Sequence, residues 1–219
     1  MINSKELLDL NHTLAKSFLE NLENIWEILA KLSDVILEIQ KNLSKDEYEE
    51  ISPQVFVHKS VKIMKPVFIG APTIIGKNSE LRQSALIRGC ALIGENCVIG
   101  NSSEIKNAII FDNVELPHFN YVGDSILGYR VHFGAGAVAS NLKSDKSEVT
   151  IKFKENEIKT GLKKFGTIVG DYSEIGCNSV LNPGTIIGKN TSIYPLSSVR
   201  GVIESNTIYK NQKNVIKKK

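Results

Sequence analysis

The sequence predicts an all-β domain, a parallel β-helix made of hexapeptide repeats, preceded by an N-terminal α-helical segment. An aliphatic residue recurs at every sixth position over two long stretches of the 219-residue chain. These positions are Val57, Ile63, Ile69, Ile75, Leu81, Ile87, Ile93, Ile99 and Ile105, and later Val169, Ile175, Leu181, Ile187, Ile193 and Val199. A glycine follows several of them, as in Ile69-Gly70 and Ile99-Gly100. Before the repeats, apolar residues alternate spacings of three and four, the pattern of an amphipathic helix.

The six-residue spacing favours a coil of three short parallel strands. Neither a helix, with its period of 3.6, nor a sandwich strand, with its period of 2, keeps one aliphatic at every sixth position. A triangular coil does, because each strand and its turn use six residues and aim one side chain at a shared interior. The glycine after the aliphatic suits a tight corner, where a Cβ would crowd the backbone. We therefore expect about seven coils, with one corner tightened at each of two five-residue steps, Ile105 to Ile110 and Val122 to Leu127.

The N-terminal helical segment is predicted over residues 1–50 and ends in a charged link. Its apolar positions are Phe18, Leu22, Ile25, Leu29, Leu32, Ile36, Ile39 and Leu43. Three heptads are the minimum for a coiled coil, and the alternative is a helix packed on the side or end of the repeat domain. We favour packing, with the helix covering one end, because the ends of a solenoid expose unpaired strand edges.

The β-helix domain is predicted over residues 51–205, with a loop insertion over 141–165. The insertion is polar and rich in Lys and Glu, and its residues 149–153 can pair as a small hairpin strand. Insertions in solenoids usually lie on the binding face. The last segment, residues 206–219, is a basic C-terminal tail that we expect to be solvated and frayed.

Composition argues against nucleic-acid and membrane partners. The formal net charge is only +3, and much of the excess lies in the three C-terminal lysines. The N-terminus has no apolar stretch with a cleavage site and no run is long enough to span a bilayer, so we expect a cytoplasmic protein. The three cysteines, Cys90, Cys97 and Cys177, fit neither a metal-ligand spacing nor a disulfide framework. We expect them to be small residues in coil walls or corners, with no metal bound.

Residues that are not needed to build a coil are the candidates for chemistry. His118 follows a proline and precedes an aromatic residue, and a histidine beside an amine can take its proton as the amine attacks an acyl carbonyl. Arg88, Lys106 and Lys164 can hold a phosphate through charge-assisted hydrogen bonds. The small residues over 134–137 would let a long, thin ligand lie close to the backbone.

Three segments, spread along most of the chain between residues 9 and 188, resemble a known group of enzymes. Residues 104–142 (EIKNAIIFDNVELPHFNYVGDSILGYRVHFGAGAVASNL) are similar to the acetyltransferase domain of the bacterial bifunctional enzyme that makes UDP-N-acetylglucosamine, a glucosamine-1-phosphate N-acetyltransferase joined to a uridylyltransferase. Residues 160–188 resemble the archaeal sugar-1-phosphate nucleotidylyltransferase/amino-sugar acetyltransferase branch, and residues 9–36 resemble helices that lead into the repeat domain of such relatives. The most specific motif is HxxYxGD, from His118 to Asp124.

This resemblance implies a fold, an activity and an assembly. Known hexapeptide-repeat folds coil left-handed, so it implies a left-handed β-helix. It implies an N-acetyltransferase that uses acetyl-CoA as co-substrate on an amino-sugar 1-phosphate, glucosamine or galactosamine 1-phosphate, in UDP-N-acetylhexosamine synthesis. Prisms of this kind commonly trimerise through their flat faces, so we expect a homotrimer.

The resemblance also assigns roles residue by residue. His118 matches the general base that deprotonates the sugar amine. The positions of the sugar-phosphate site are matched by Arg88, Lys106, Tyr121, His132 and Lys164. The positions that touch acetyl-CoA, mainly through backbone, are matched by Ala135, Asn141, Cys177 and Pro195.

Three departures leave the sugar and the coenzyme contacts open. Pro117 stands where the family usually has Gly, His132 where the bacterial enzyme has Asn, and Leu142 where it has Tyr. A second hypothesis is therefore a non-catalytic sugar-nucleotide-binding or assembly module that partners a separate nucleotidyltransferase through the N-terminal helix. The 219 residues contain no Gly-rich nucleotide loop of the GxGTR kind, so we expect no pyrophosphorylase activity from this chain alone.

Overall fold

The computed structural model describes residues 4–218 and is a left-handed parallel β-helix with an N-terminal helical segment. Its strands stack into three flat faces, named here in the order in which the chain visits them. The strands of the first face are Val55–His58, Thr73–Ile75, Ala91–Ile93, Thr167–Val169, Thr185–Ile187 and Val202–Ile203. The strands of the second face are Lys62–Ile63, Glu80–Leu81, Val98–Asn101, Glu115–His118, His132–Phe133, Glu174–Ile175, Ser192–Ile193 and Thr207–Asn211. The strands of the third face are Phe68–Ile69, Leu86–Ile87, Val138–Ala139, Val180–Leu181 and Ser198–Val199.

Two long strands, Glu104–Ile110 and Tyr121–Leu127, belong to two faces at once. Their first halves pair on the third face and their second halves on the first. These are the two five-residue steps, and the strand runs through the corner where the other coils turn. One residue at each bend has a left-handed backbone, Asn107 at φ 48° and Asp124 at φ 47°, a conformation that Asn and Asp adopt more readily than most residues.

The six-residue register fills the interior of the prism, as predicted. Ile75, Leu81 and Ile87, one from each face, are fully buried in a single apolar cluster that runs along the solenoid. Parallel strands stack each aliphatic on its equivalent in the next coil, as Ile75 on Ile93. The cluster is dry through the central coils and partly exposed at the first coil, around Ile63 and Ile69, and burial of its apolar area is the main stabilising term of the solenoid.

The sequence predicted one helix in the N-terminal segment, and this is wrong. The segment is a series of short helices. The α-helices are Ser4–Leu7, Lys16–Leu19 and Leu32–Gln40, and Leu10–His12 and Ile25–Lys31 are 3₁₀-helices. The alternating three- and four-residue spacing persists because 3₁₀-helix and α-helix repeat every 3.0 and 3.6 residues. Both conformations can therefore present the same apolar stripe to one flat surface.

That surface is the first face, so the segment covers a side of the solenoid and not an end. The outward side chains of the first face are Ile74, Leu92, Ile109, Ile126, Ile168 and Ile186, and they are buried in a second apolar cluster with the helical residues. Ile25, Leu29, Leu32, Ile36 and Ile39 belong to this cluster. The apolar seam is therefore used within the chain, and the coiled-coil alternative is wrong.

Hairpins complete the fold. Tyr48–Ser52 pairs antiparallel with Val55–His58, so the charged link is a strand. Residues 206–219 are not a frayed tail, because Thr207–Asn211 pairs with Asn214–Lys217 and Tyr209 closes the solenoid interior; Lys219 lies outside the described residues. The insertion forms the expected hairpin, Thr150–Phe153 with Asn156–Lys159, which packs on the first face.

Within residues 4–218, no helix is both long enough and apolar enough to cross a membrane.

Candidate functional site

The corner between the second and third faces, called here the second corner, holds four of the predicted site residues in a row. The backbone amide of Gly136 donates to the carbonyl of His118 (3.1 Å), that of Asn178 to Ala135 (2.9 Å) and that of Leu196 to Cys177 (2.9 Å). His118, Ala135, Cys177 and Pro195 are therefore at equivalent positions of four consecutive coils. The structure brings the predicted base and three predicted coenzyme contacts onto one edge of the prism.

Small residues keep this corner open. A Cβ on Gly134 would lie 2.7 Å from the amide nitrogen of Cys177, so only glycine lets the two coils approach so closely. Gly136 has φ +73°, a left-handed conformation that its equivalents Phe119, Asn178 and Leu196 also adopt, but it adds no side chain to the corner. Two large apolar side chains project beside the row, Phe119 (62% exposed) and Leu196 (80% exposed). The result is a backbone-lined edge flanked by exposed apolar groups.

The corner between the third and first faces, the third corner, holds a polar network centred on Asp124. One carboxylate oxygen accepts a hydrogen bond from the Asn107 side-chain amide (2.8 Å). The other accepts from the Asn141 amide and lies 3.4 Å from the Lys106 ammonium. The Tyr121 hydroxyl is 3.5 Å from the Asn141 side-chain oxygen. Lys106 and Tyr121, both predicted for the sugar phosphate, are thus neighbours of Asn141, which was predicted for the coenzyme.

At this corner each of two cations is paired with a carboxylate that is less exposed than the cation. The side chain of Asp124 is only 6% exposed, whereas that of its partner Lys106 is 26% exposed. One coil earlier, Arg88 is 49% exposed and its guanidinium donates to Glu104 (2.8 Å). The Glu104 side chain is itself 30% exposed, so only Asp124 lies beneath its cation, and both Lys106 and Arg88 remain accessible to an approaching anion.

Burial and charge set the protonation of two groups at this corner. Burial, and then the carboxylates of Glu104 and Asp124, raise the pKa of the Tyr121 phenol. The hydroxyl therefore keeps its proton and can donate a hydrogen bond to an anionic ligand. The hydrogen bond to Glu104 raises the pKa of the Arg88 guanidinium, which stays charged.

Gly123 leaves space for the Tyr121 and Asn141 side chains to approach each other. A Cβ there would lie 2.6 Å from the Tyr121 hydroxyl and 2.7 Å from the Asn141 side-chain nitrogen. The glycine of the HxxYxGD motif therefore leaves room for the two side chains that flank it.

Not all of the predicted residues come together. His132 lies on the second face, where its Nδ1 is 2.8 Å from Glu174, away from the third-corner network. Lys164 is exposed and precedes Phe165, whose amide donates to the carbonyl of Asn141 (3.0 Å). Asn141 is at the third corner and so lies with the predicted sugar-phosphate residues, not with the other three coenzyme positions.

Asp124 and Asn107 were not assigned roles from the sequence. Asp124 closes the HxxYxGD motif, and Asn107 ends the EIKN segment. A further signal was that each falls inside a five-residue step, where the coil must bend. Among the described residues, no group of three or more His, Cys, Asp or Glu side chains could hold a metal ion.

Comparisons with known proteins find sequence relatives over about half of the chain. No protein-family model matches it. The bifunctional protein GlmU of Methanococcus vannielii is 38% identical over 118 residues, which are 53% of this chain and 28% of that protein. A bifunctional sugar-1-phosphate nucleotidylyltransferase/acetyltransferase of Sulfurisphaera tokodaii is 38% identical over 92 residues, 42% of this chain and 23% of that protein. The chain thus spans about a quarter of the length of these curated relatives.

Among solved structures, the UDP-N-acetylglucosamine acyltransferase of Campylobacter jejuni aligns with a TM-score of 0.43 at 14% identity, over 72% of each chain. The chain is a hexapeptide-repeat β-helix protein whose sequence relatives are bifunctional proteins of the GlmU type.

Proposed function

We propose that this protein is an acetyl-CoA-dependent N-acetyltransferase that acts on an amino-sugar 1-phosphate, with glucosamine 1-phosphate and galactosamine 1-phosphate as the candidate substrates. The observation that carries the proposal is the row of His118, Ala135, Cys177 and Pro195 along the second corner. It offers a general base at one end of an edge on which a long coenzyme can lie against backbone. The names of the sequence relatives, which include a bifunctional sugar-1-phosphate nucleotidylyltransferase/acetyltransferase, support acetyl transfer as the reaction class.

The proposed reaction is direct transfer of the acetyl group. The sugar amine attacks the thioester carbonyl carbon, the N–C bond forms, and the C–S bond breaks. His118 accepts the proton that the amine loses, and the departing thiolate takes up a proton to leave as free thiol. Backbone amides at the corner would stabilise the oxyanion that forms on the carbonyl oxygen.

The sugar phosphate would bind across the third face, between the two corners. His118 and Tyr121 are three residues apart, so their Cα atoms are separated by at most roughly 11 Å, the reach of an extended chain of that length. That span suits a hexosamine whose amine points to His118 and whose phosphate points to Lys106 and Arg88. The Tyr121 hydroxyl and the Asn141 amide add uncharged donors beside these two cations.

A homotrimer is part of the proposal. The first face is already covered by the helical segment, so the second and third faces are the ones that residues 4–218 leave open to pack against copies. Exposed apolar side chains are found on the third face, Phe68 (59%) and Val180 (36%), and at the second corner, Phe119 and Leu196. Burying them against a second copy would remove apolar area from water.

The alternative, a binding module that recruits a nucleotidyltransferase through its N-terminal helix, has less support. That helix would need an apolar surface for its partner. Ile25, Leu29, Leu32 and Ile36 are instead at most 4% exposed against the first face.

The decisive measurement is thiol release from acetyl-CoA in the presence of each amino-sugar 1-phosphate. We expect His118→Ala to lower kcat by at least about two orders of magnitude, the usual contribution of a positioned general base. His58→Ala is the matched control, because His58 lies at the first coil, where its ring contacts Ser60 and Tyr48, and its loss should leave the rate unchanged. Thiol release by His118→Ala near the wild-type rate would exclude His118 as the base. No release by the wild type with any substrate would favour the binding module.

A further inference from the structure

We propose that Asp124 and Asn107 are positioning residues that couple the N-terminal helical segment to the side chains that hold the sugar phosphate. The inference rests on the proposed function, since it concerns how that phosphate site is built. Neither residue is expected to touch substrate. Their role is to fix where Lys106 and Asn141 point.

Asp124 is the point on which three parts of the chain converge. Its carboxylate accepts hydrogen bonds from the side chains of Asn107 and Lys106 in the preceding coil and of Asn141 at the start of the insertion. Its own carbonyl accepts the amide of Gly166, where the insertion rejoins the solenoid (2.8 Å). One buried carboxylate therefore holds both ends of the insertion and the site lysine at the same corner.

A carboxylate with a 6% exposed side chain is stable there only because its oxygens are well paired. Removing its charge would leave the Lys106 ammonium without a counter-ion and the Asn141 amide with a weaker acceptor. Both side chains could then adopt other rotamers. The substitution would therefore change the orientation of the phosphate-binding groups and leave the acyl-transfer step unchanged.

Asn107 carries the connection to the helical segment. The same side-chain nitrogen that donates to Asp124 also lies 3.2 Å from the carbonyl oxygen of Leu29 and donates to it. A primary amide has two hydrogens, so both bonds can form together. Leu29 belongs to the 3₁₀-helix Ile25–Lys31 and is itself 4% exposed against the first face. The packing of this helix therefore determines where Asn107 is held.

The chain provides a matched control in Asp171. This aspartate is also buried at a corner, with its side chain 1% exposed and 3.0 Å from the Lys189 ammonium. It also ties the helical segment to the solenoid, because it accepts the backbone amides of Asp9 (2.7 Å) and Tyr129 (2.9 Å). It has no contact with Lys106, Tyr121 or Asn141 among the hydrogen bonds and ion pairs of residues 4–218.

The test compares Asp124→Asn, Asn107→Ala and Asp171→Asn in full-length protein. We expect Asp124→Asn to raise KM for glucosamine 1-phosphate roughly tenfold to a hundredfold, the effect of losing hydrogen bonds to a charged group, with kcat changed much less. Asn107→Ala keeps the carboxylate and should raise KM in the same direction by less. Asp171→Asn should lower the melting temperature while leaving KM within about twofold of wild type, since no bond to the site is lost.

A second measurement needs no turnover. Glucosamine 1-phosphate alone should raise the melting temperature of wild type and Asp171→Asn, and raise that of Asp124→Asn less at equal concentration. Equal KM values and equal shifts for the two aspartate variants would overturn the positioning role. A wild type that neither releases thiol nor is stabilised by the sugar phosphate would overturn the proposed function itself, and the positioning role with it. If Asp124→Asn does not fold, an unchanged KM in Asn107→Ala would overturn the coupling.

Discussion

Cys97 is a buried thiol with consequences for stability at high pH. It is 1% exposed, and its sulfur is 3.1 Å from the carbonyl oxygen of Phe111. Burial raises its pKa from the usual 9.0 to about 12, because the thiolate would lose its hydration inside the solenoid. The folded chain therefore keeps this proton at a pH where the unfolded chain releases it.

We predict that the free energy of unfolding falls as pH rises from about 9 to 12, and that Cys97→Ala reduces this slope. Below pH 9 the thiol is protonated in both states, so it contributes no pH dependence. Above that value the unfolded state binds fewer protons than the native state, which makes the slope negative, by up to about 1.4 kcal/mol per pH unit for one group. Urea unfolding at several pH values measures it.

The control for this prediction is Cys177→Ala, whose thiol is exposed on the second corner. It should keep the wild-type slope. Since Cys97→Ala also removes packing, its absolute stability should fall at every pH, and only the slope tests the argument. A Cys97→Ala slope equal to wild type would show that another group carries the pH dependence. Tyr48, whose pKa burial raises to about 12, is the first alternative.

For single residues, the sequence predicted the positions that repeat from coil to coil, but it did not predict the role of a residue at a bend in a coil. The inward aliphatics of the two regular stretches follow from the spacing of six, because each position is stacked on its equivalent in the next coil. The row of His118, Ala135, Cys177 and Pro195 follows from the same register once the family resemblance is applied. Asp124 could not be assigned, because its importance comes from partners that are 17 or 18 residues away along the chain.

At the scale of elements, the prediction from sequence was least accurate for the secondary structure of the helical segment. Its apolar residues were identified, but one continuous helix was expected. Trp26 and Ile28 are also buried, at 3% and 0%, beside the predicted seam at Ile25 and Leu29. A broad apolar stripe of this kind suits a flat sheet. Sequence spacing alone does not separate a 3₁₀-helix from an α-helix over seven residues.

We predict that Ile36→Ala destabilises the protein by about 2–5 kcal/mol, since Ile36 is fully buried between its helix and the first face. Leu14→Ala is the control: Leu14 is 47% exposed in the same segment and should change stability by no more than about 0.5 kcal/mol. Urea unfolding followed by circular dichroism gives both values. Equal losses would mean that Ile36 does not anchor the segment.

The fluorescence of the single tryptophan shows whether the helical segment unfolds together with the solenoid or before it. Trp26 lies in the helical segment, with its ring 6.2 Å from that of Phe165 of the insertion. Fluorescence and circular dichroism should report one transition if the segment and the solenoid unfold together. An earlier fluorescence transition would show that the segment detaches first.

At the scale of the whole molecule, stability should vary along the axis of the solenoid. Each coil contacts only its neighbours, so the end coils lack one interface. The helical segment and insertion add a second apolar layer over the first face, from Ile74 to Ile186. Both outer edges carry charged strands, with Glu49 and Glu50 at one end and Lys217 at the other, a composition that discourages edge-to-edge association.

We therefore predict a gradient in amide hydrogen exchange. The amides of Ile109, Ile126 and Ile168 lie in central coils beneath the helical segment and should exchange slowest. Those of Thr207–Asn211, in the last coil, should exchange at least about a hundredfold faster, because that coil can open without disrupting the others. Peptide-resolved exchange with mass spectrometry measures the difference, and Ile36→Ala should reduce it by loosening the cover of the central coils. Uniform protection from Val55 to Tyr209 would contradict the prediction and show that the solenoid opens only as one cooperative unit.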